Sequence, residues 1–372
     1  MPHFNSAPHS SDCNTSLALA RHTKSETPRT AQAHQPDQDT GNKPSFLVGL
    51  TSEQRARIAV LNAFRFCPQH FLEHFVIHRV IGYGTNGVVL SATDARTKAD
   101  VAIKIIYKPS VGGISDPLPN EIVLLKRLAN TSQFILQYMD DWQDANHFYL
   151  VSELFGNNWA DVAEDQSIEM HPIILRSMNN EIYVFSMTVG SSDLYSWSFA
   201  YRWKFYRSTG YSMLPIKPIK FIVRQIAAAL YHLHKRGFYH GDIKQENVLV
   251  QLPDHASIDR PRIRLADFGH CKHHTQGCTR YGTKTTSAPE LLPSSPLYSP
   301  DLDGRAGDVY ALGLVLYCLL GSTGELPTPN SMDEDIPDLD DGAWELIHGM
   351  CNPNPTMRLT IDQVLLNAWL SE

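Results

Sequence analysis

The order of local patterns constrains this chain most. Between residues 75 and 154, short β-branched and aromatic runs follow one another at turn-length spacing, and from Lys217 onward the periodicity becomes helical. FVIHRVIGY (75–83) and VVLSATD (88–94) are joined by a glycine-rich turn, and DVAIKIIY (100–107) is β-branched and mostly apolar, which predicts a buried strand. NEIVLLKRL (120–128) has helical spacing, and Pro117 and Pro119 fit only at or before its first turn. FILQYMDDW (134–142) and HFYLVSEL (147–154) flank a DAN turn and predict a hairpin. Further on, FIVRQIAAALYHLHKRG (221–237) has one apolar face and a glycine stop, whereas DVYALGLVLYCLL (308–320) is apolar all round, as for a helix at the centre of a core. TIDQVLLNAWL (360–370) opens on a Thr360–Gln363 capping box. The expected class is α+β: a small antiparallel β lobe with one helix, then a larger, mainly α lobe.

The 372 residues are 42% hydrophobic and 19% charged, enough for two lobes with separate cores. A formal net charge of −7 argues against a nucleic-acid or membrane-surface role, which needs a basic face. The six cysteines have no disulfide-like spacing, so an intracellular compartment is expected, with no choice between cytoplasm and nucleus. MPHFNSAPHSSD at the start has neither a basic n-region nor an apolar core, so no signal peptide is expected. The longest apolar run, Tyr310–Leu320, falls short of the roughly 20 residues that span a bilayer.

Two short stretches carry the chemistry, HGDIKQEN (240–247) and ADFG (266–269). Together they supply a carboxylate to orient a hydroxyl, a lysine, a metal-binding amide and a metal-binding carboxylate. Phosphoryl transfer needs little more, because its catalysis is mostly positioning and charge neutralisation around Mg²⁺. Singly, each group has an ordinary reading as a turn Asp, a surface Lys or an Asn cap.

In this order the pieces resemble the eukaryotic protein kinase domain of the Ser/Thr type, a two-lobed fold. The resemblance covers roughly residues 76–372 with one interruption, and it implies the following roles. Gly82, Gly84 and Gly87 form the loop that closes over ATP phosphates, and Lys104 in VAIK (101–104) holds the α- and β-phosphates with Glu121 as its ion-pair partner. Asp242 accepts the proton of the substrate hydroxyl and Lys244 neutralises the γ-phosphate. Asn247 and Asp267 hold Mg²⁺, or Mn²⁺ in its place. Val89, Ala102 and Leu249 sandwich the adenine, with the hinge at Ser152, Glu153 and Phe155. Glu290 of SAPE (287–290) pairs with Arg358, Asp308 holds the catalytic-loop backbone, and Thr283 touches the catalytic Asp and Lys. Leu125, Tyr138, His240 and Phe268 fall at positions resembling the regulatory stack of side chains.

On this resemblance the chain divides into a disordered segment (1–50), an extension with a docking helix at 51–66 (51–75), the first lobe and hinge (76–156), an insertion (157–190) and the second lobe (191–372). The insertion alternates and turns at Asn179-Asn180 like a hairpin, fit for partner docking or merely a tolerated loop. A competing alignment puts the hinge at 185–189.

The sequence departs from the family at Gly241, where an arginine usually precedes the catalytic Asp and pairs with an activation-segment phosphate. Thr279 stands where that phosphosite would be. Ser152 gates the back of the adenine pocket, and so small a side chain implies a deep one. HCKHHTQGC (270–278) has zinc-capable residues at no standard spacing and reads as a polar loop. Glu246, Asp193 and the acidic run at 333–341 favour a protein substrate with basic residues near its target Ser or Thr. LPNEIVLL and the closing NAWL loosely resemble the calcium/calmodulin-dependent and PAS-domain kinases. Neither a PAS domain nor an autoinhibitory tail is expected within this chain. The rival to an active enzyme is a pseudokinase binding nucleotide as a scaffold. Oligomeric state is not legible.

Overall fold

The computed structural model describes residues 49–66, 68–84, 86–108, 116–159, 169–176, 182–188, 192–210, 213–253, 258–278, 285–292, 295, 298–299, 302–321, 336 and 339–371, and of 66, 68–69, 169–176 and 182–188 the backbone alone. Two helices, α1 (Ser52–Phe66) and α2 (Pro68–His74), lead into three antiparallel strands, β1 (Phe75–Tyr83), β2 (Gly87–Asp94) and β3 (Asp100–Tyr107). Helix α3 (Asn120–Leu128) follows, then β4 (Tyr138–Gln143) and β5 (His147–Glu153). β6 (Glu169–Arg176) and β7 (Ile182–Thr188) form an antiparallel hairpin whose second strand pairs in parallel with β1 through Arg79↔Ser186 and Val80↔Met187. The hairpin thereby enlarges the sheet to seven strands in the order β4-β5-β3-β2-β1-β7-β6. β5, not β7, lies between β3 and β4.

The second lobe opens with α4 (Leu194–Thr209) and α5 (Ile216–His234). Four short strands follow: β8 (Phe238–Tyr239), β9 (Val248–Gln251), β10 (Arg262–Leu265) and β11 (Lys272–His273). β9 pairs with β10 and β8 with β11. It closes with α6 (Gly304–Leu320), α7 (Asp341–Met350), α8 (Ile361–Leu365) and α9 (Ala368–Ser371). Helix α6 is buried almost all round, as its unbroken apolar sequence requires, and the Asp303 side chain caps it by accepting the Arg305 amide. Among the described residues no helix is long and apolar enough to cross a membrane.

The described residues form two hydrophobic cores, and the boundary between them is a sheet face. Strand alternation sends Val101, Ile103, Ile105, Tyr149 and Val151 to one face, where the buried stripe Ala56, Ala59, Val60 and Ala63 of α1 covers them with Phe71. The i, i+3, i+4, i+7 spacing of that stripe puts those four residues on the one face of α1 that the sheet covers. Phe71 sits edge-on to Trp142 and Tyr149, whose rings stack at 4.6 Å. The other face, with Ile106, Phe148 and Leu150, is continuous with α3 and the whole second lobe.

Two elements differ from the periodicity. Residues 134–137 do not extend β4, because Leu136 N donates to Leu265 O and Leu265 N to Phe134 O, which joins this stretch to β10. The last helix breaks into α8 and α9 where the Asn367 side chain accepts the Trp369 amide, a local bond that competes with helix continuation. The Thr360–Gln363 capping box forms.

Candidate active site

β3 alternates apolar residues on its outer face with Lys104 on the other, toward α3. Its ammonium stands 2.7 and 2.8 Å from the two Glu121 oxygens and 3.2 Å from Asp267 Oδ1. Burial works against the charge, but the Asp267 and Glu121 carboxylates outweigh it and hold Lys104 above the ordinary lysine range. Lys104 in turn holds the Asp267 carboxyl below the usual carboxylate range, against burial. Glu121 lies in the first turn of α3, where the helix N-terminus also favours an anion, and Ile122, Leu124, Leu125 and Leu128 pin that helix to the core. Asp267 has a left-handed backbone, φ 60°, which costs a non-glycine residue about 1–3 kcal/mol and turns the chain sharply at the site.

The second half of the site is a loop gripped from below. Asp308, buried in the first turns of α6, accepts the backbone amides of His240 at 2.7 Å and Gly241 at 2.8 Å, and bonds His234 Nε2 at 3.0 Å. The His240 ring bonds Ala266 O through Nε2 at 3.1 Å and accepts Asp242 N at Nδ1, which assigns the proton to Nε2. On this support Asp242 Oδ2 meets Lys244 Nζ at 2.9 Å and Asn247 Nδ2 at 3.0 Å. Asn247 Nδ2 also donates to Asp242 O, so the amide oxygen is the atom of Asn247 left to a cation. Ala266 N donates to Asn247 O, tying the loop to the segment that carries Asp267. The Asp267 carboxylate feels the charges of Lys104 and Asp242, so the two halves share one electrostatic site.

Gly241 is required by the backbone: φ is +80°, and a Cβ there would stand 2.9 Å from His270 O. The glycine turn between β1 and β2 is closed by Gly84 N donating to Gly87 O. A Cβ at Gly87 would come 2.3 Å from Ile105 O, so that glycine serves packing, whereas among the described residues nothing lies within 4 Å of the position at Gly84. Ala102 pairs with Ser152 across β3 and β5, Val89 with Lys104 across β2 and β3, and Leu249 with Arg264 across β9 and β10. Gly82 pairs with Val89 at the end of β1.

Glu290 receives two bonds from Arg358, at 2.7 and 2.9 Å. His240 and Phe268 touch edge to face at 5.1 Å, and Leu125 and Phe268 are buried in one core against which Tyr138 packs. Of the two carboxylates read for substrate, Glu246 is exposed, but Asp193 is buried and caps α4 by accepting Ser196 N at 2.7 Å. Cys271 and Cys278 are buried thiols, and burial pushes Cys278 up to about 11. Among the described residues no group of three or more His, Cys, Asp or Glu is placed to hold a metal. Thr279, Thr283 and the acidic run at 333–341, apart from Ile336, Leu339, Asp340 and Asp341, lie outside the described residues. The sequence pattern missed two residues that join the site: His234 under Asp308, and Arg264, which bonds Glu153 at 2.7 Å. The alternation in RIRL (262–265), arginines on one face and Ile263 and Leu265 on the other, was the available signal for the latter.

The family described as the protein kinase domain matches residues 75–194 and 201–370. A serine/threonine-protein kinase of Drosophila simulans is 24% identical over 346 residues, 87% of this chain and 39% of its own length. One of Drosophila melanogaster is 24% identical over 319 residues, covering 81% and 35%. The calcium/calmodulin-dependent protein kinase type 1 of Macrobrachium nipponense is 28% identical over 251 residues, covering 67% and 56%. The chain thus spans well under half the length of the Drosophila relatives it matches. With the family's match running through both lobes, this chain belongs to the protein kinase domain family.

Proposed function

We propose that the chain is an active serine/threonine protein kinase that transfers the γ-phosphoryl group of ATP, with Mg²⁺, to a protein hydroxyl. The observation that carries this reading is the convergence of Lys104, Glu121 and Asp267 with the braced loop of Asp242, Lys244 and Asn247. The residues fit the nucleotide and its ion. Open space over Gly84 admits phosphate oxygens against the backbone, and Lys104 offers them a persistent cation. Asp267 and the Asn247 amide oxygen are two hard donors, the set that a hydrated Mg²⁺ takes, and Mn²⁺ accepts the same donors. When bound, such an ion neutralises charge on the phosphate oxygens.

The chain's own residues would do the rest. Lys104, fixed by Glu121, orients the triphosphate. Asp242 Oδ2 is held by Lys244 and Asn247, so the carboxylate is aimed to orient the acceptor hydroxyl and take its proton. Lys244, adjacent to that carboxylate, stabilises charge on the group in transfer. Exposed Glu246 favours a basic residue near the acceptor, in an intracellular protein substrate. The test is phosphoryl transfer from radiolabelled ATP to a basic protein, wild type against Asp267→Asn. A loss of at least about 10²-fold is expected; equal incorporation in both overturns the reading.

A further inference from the structure

Arg264 stands outside the phosphoryl-transfer set, yet it gathers the three segments that carry it. It lies on β10, three residues before Asp267. Its Nε donates to Glu153 Oε1 at 2.7 Å and its Nη2 to Oε2 at 3.5 Å. The guanidinium carbon is 4.4 Å from the centre of the Phe155 ring. Nη1 donates to the carbonyls of Gln133 and Ile263. Gln133 belongs to the connection out of α3, the helix of Glu121. The same Glu153 Oε1 accepts Gln137 N at 3.0 Å, while Glu153 N donates to Gln137 O. One side chain therefore joins the hinge, the exit of α3 and the strand leading to Asp267. The pair is sheltered, with side chains 18% and 25% exposed, so solvent screens it less than a surface pair. Only a planar guanidinium makes the fork and the ring contact together.

We infer that Arg264 is a positioning residue for the nucleotide, clamping Glu153 and Phe155 so that the hinge backbone is already ordered where the adenine would lie. The inference rests on the reading of the cleft as a nucleotide site. A pre-ordered hinge spares the ligand the entropy of ordering it. Asp242, Lys244 and Asn247 are braced separately, through Asp308, so loss of the clamp falls on nucleotide affinity and leaves turnover nearly intact.

The test uses the full chain as wild type, Arg264→Ala, Arg264→Lys, Glu153→Gln and the Arg264→Ala/Glu153→Gln double variant. Binding of a fluorescent ATP analogue with Mg²⁺ is titrated directly, and KM and kcat are measured for transfer. Arg264→Ala is expected to weaken binding and raise KM for ATP about tenfold, with kcat within about twofold. Arg264→Lys recovers part of the loss, and the double variant is no worse than Arg264→Ala, because the two changes remove one interaction. Equal affinity in wild type and Arg264→Ala, a fall in kcat at constant KM, or additive losses overturns the inference. Should Arg264→Ala fail to fold, Glu153→Gln carries the test, and an unchanged dissociation constant there has the same consequence. A wild type that binds no nucleotide overturns the reading of the cleft, and the clamp with it.

Discussion

Two ion pairs of the same length hold different parts of this molecule, and they differ in what they leave over. Glu290 and Arg358 are closed to solvent, with side chains 2% and 0% exposed. Arg358 also donates to the carbonyls of Asn352 and Ala306 and covers the Tyr310 ring. Four of its five N–H donors are spent on these partners, so the pair fastens the SAPE segment to the second lobe. Lys104 and Glu121 are 21% and 8% exposed, and the ammonium is shared with Asp267 at 3.2 Å. That pair leaves its ammonium partly exposed and shared between two carboxylates. Burial and saturation, not the identity of the charges, separate a fastening from a ligand site.

The largest expected effect breaks the first pair. Arg358→Ala strands a fully buried carboxylate and is expected to cost about 3–5 kcal/mol of stability, read from urea unfolding; a loss under about 1 kcal/mol would erase the contrast. Lys104→Met should lower transfer about 10²–10³-fold with a smaller stability loss than Arg358→Ala, since Glu121, whose pKa burial already raises, takes a proton instead. The stability gap between wild type and Lys104→Met should narrow in acid. Lys104 depresses Asp267, so the Lys104–Asp267 contribution is complete above the ordinary aspartate pKa and fades as pH falls through the lowered one. Unfolding curves at neutral and acid pH decide this, and a gap that widens in acid contradicts the assignment.

Two smaller effects sharpen the open side of the comparison. Ser152 is buried beside Ala102 and offers little bulk. Unmodified protein should therefore bind an N6-benzyl ATP, and Ser152→Met should weaken that analogue about tenfold while sparing ATP. Competition binding with the two nucleotides measures it, and failure of the wild type to take the analogue counts against the hinge at Ser152–Phe155. The smallest change is expected for Thr279→Ala, which should keep most of the transfer rate. On the proposed kinase reading, Gly241 stands where an arginine would receive that phosphate. An inactive Thr279→Ala, with phosphate on Thr279 shown to be needed, would refute that account.

Much of the first lobe was legible because strand alternation and packing agree there: every second residue of β3 is apolar and buried, and Lys104 stands out as the exception. The four polar groups of the candidate site were legible as types in a fixed order. What the pattern could not supply was partnership at long range. Nothing local says that Phe134 and Leu136 turn to Leu265 instead of prolonging β4, or that β7 lies against β1. Nor does it say that the larger core runs through both lobes while α1 and α2 close a separate one on the far face of the sheet.

Residue type and order alone determined the class of fold and which polar side chains are available to one site, because periodicity and backbone freedom act over a few residues. Tertiary structure decided how those side chains are held. Asp308 reaches the amides of His240 and Gly241 across 68 and 67 residues of chain, and Arg264 reaches Glu153 across 111. Such contacts form only when packing brings remote segments within about 3 Å, a distance that no local propensity encodes.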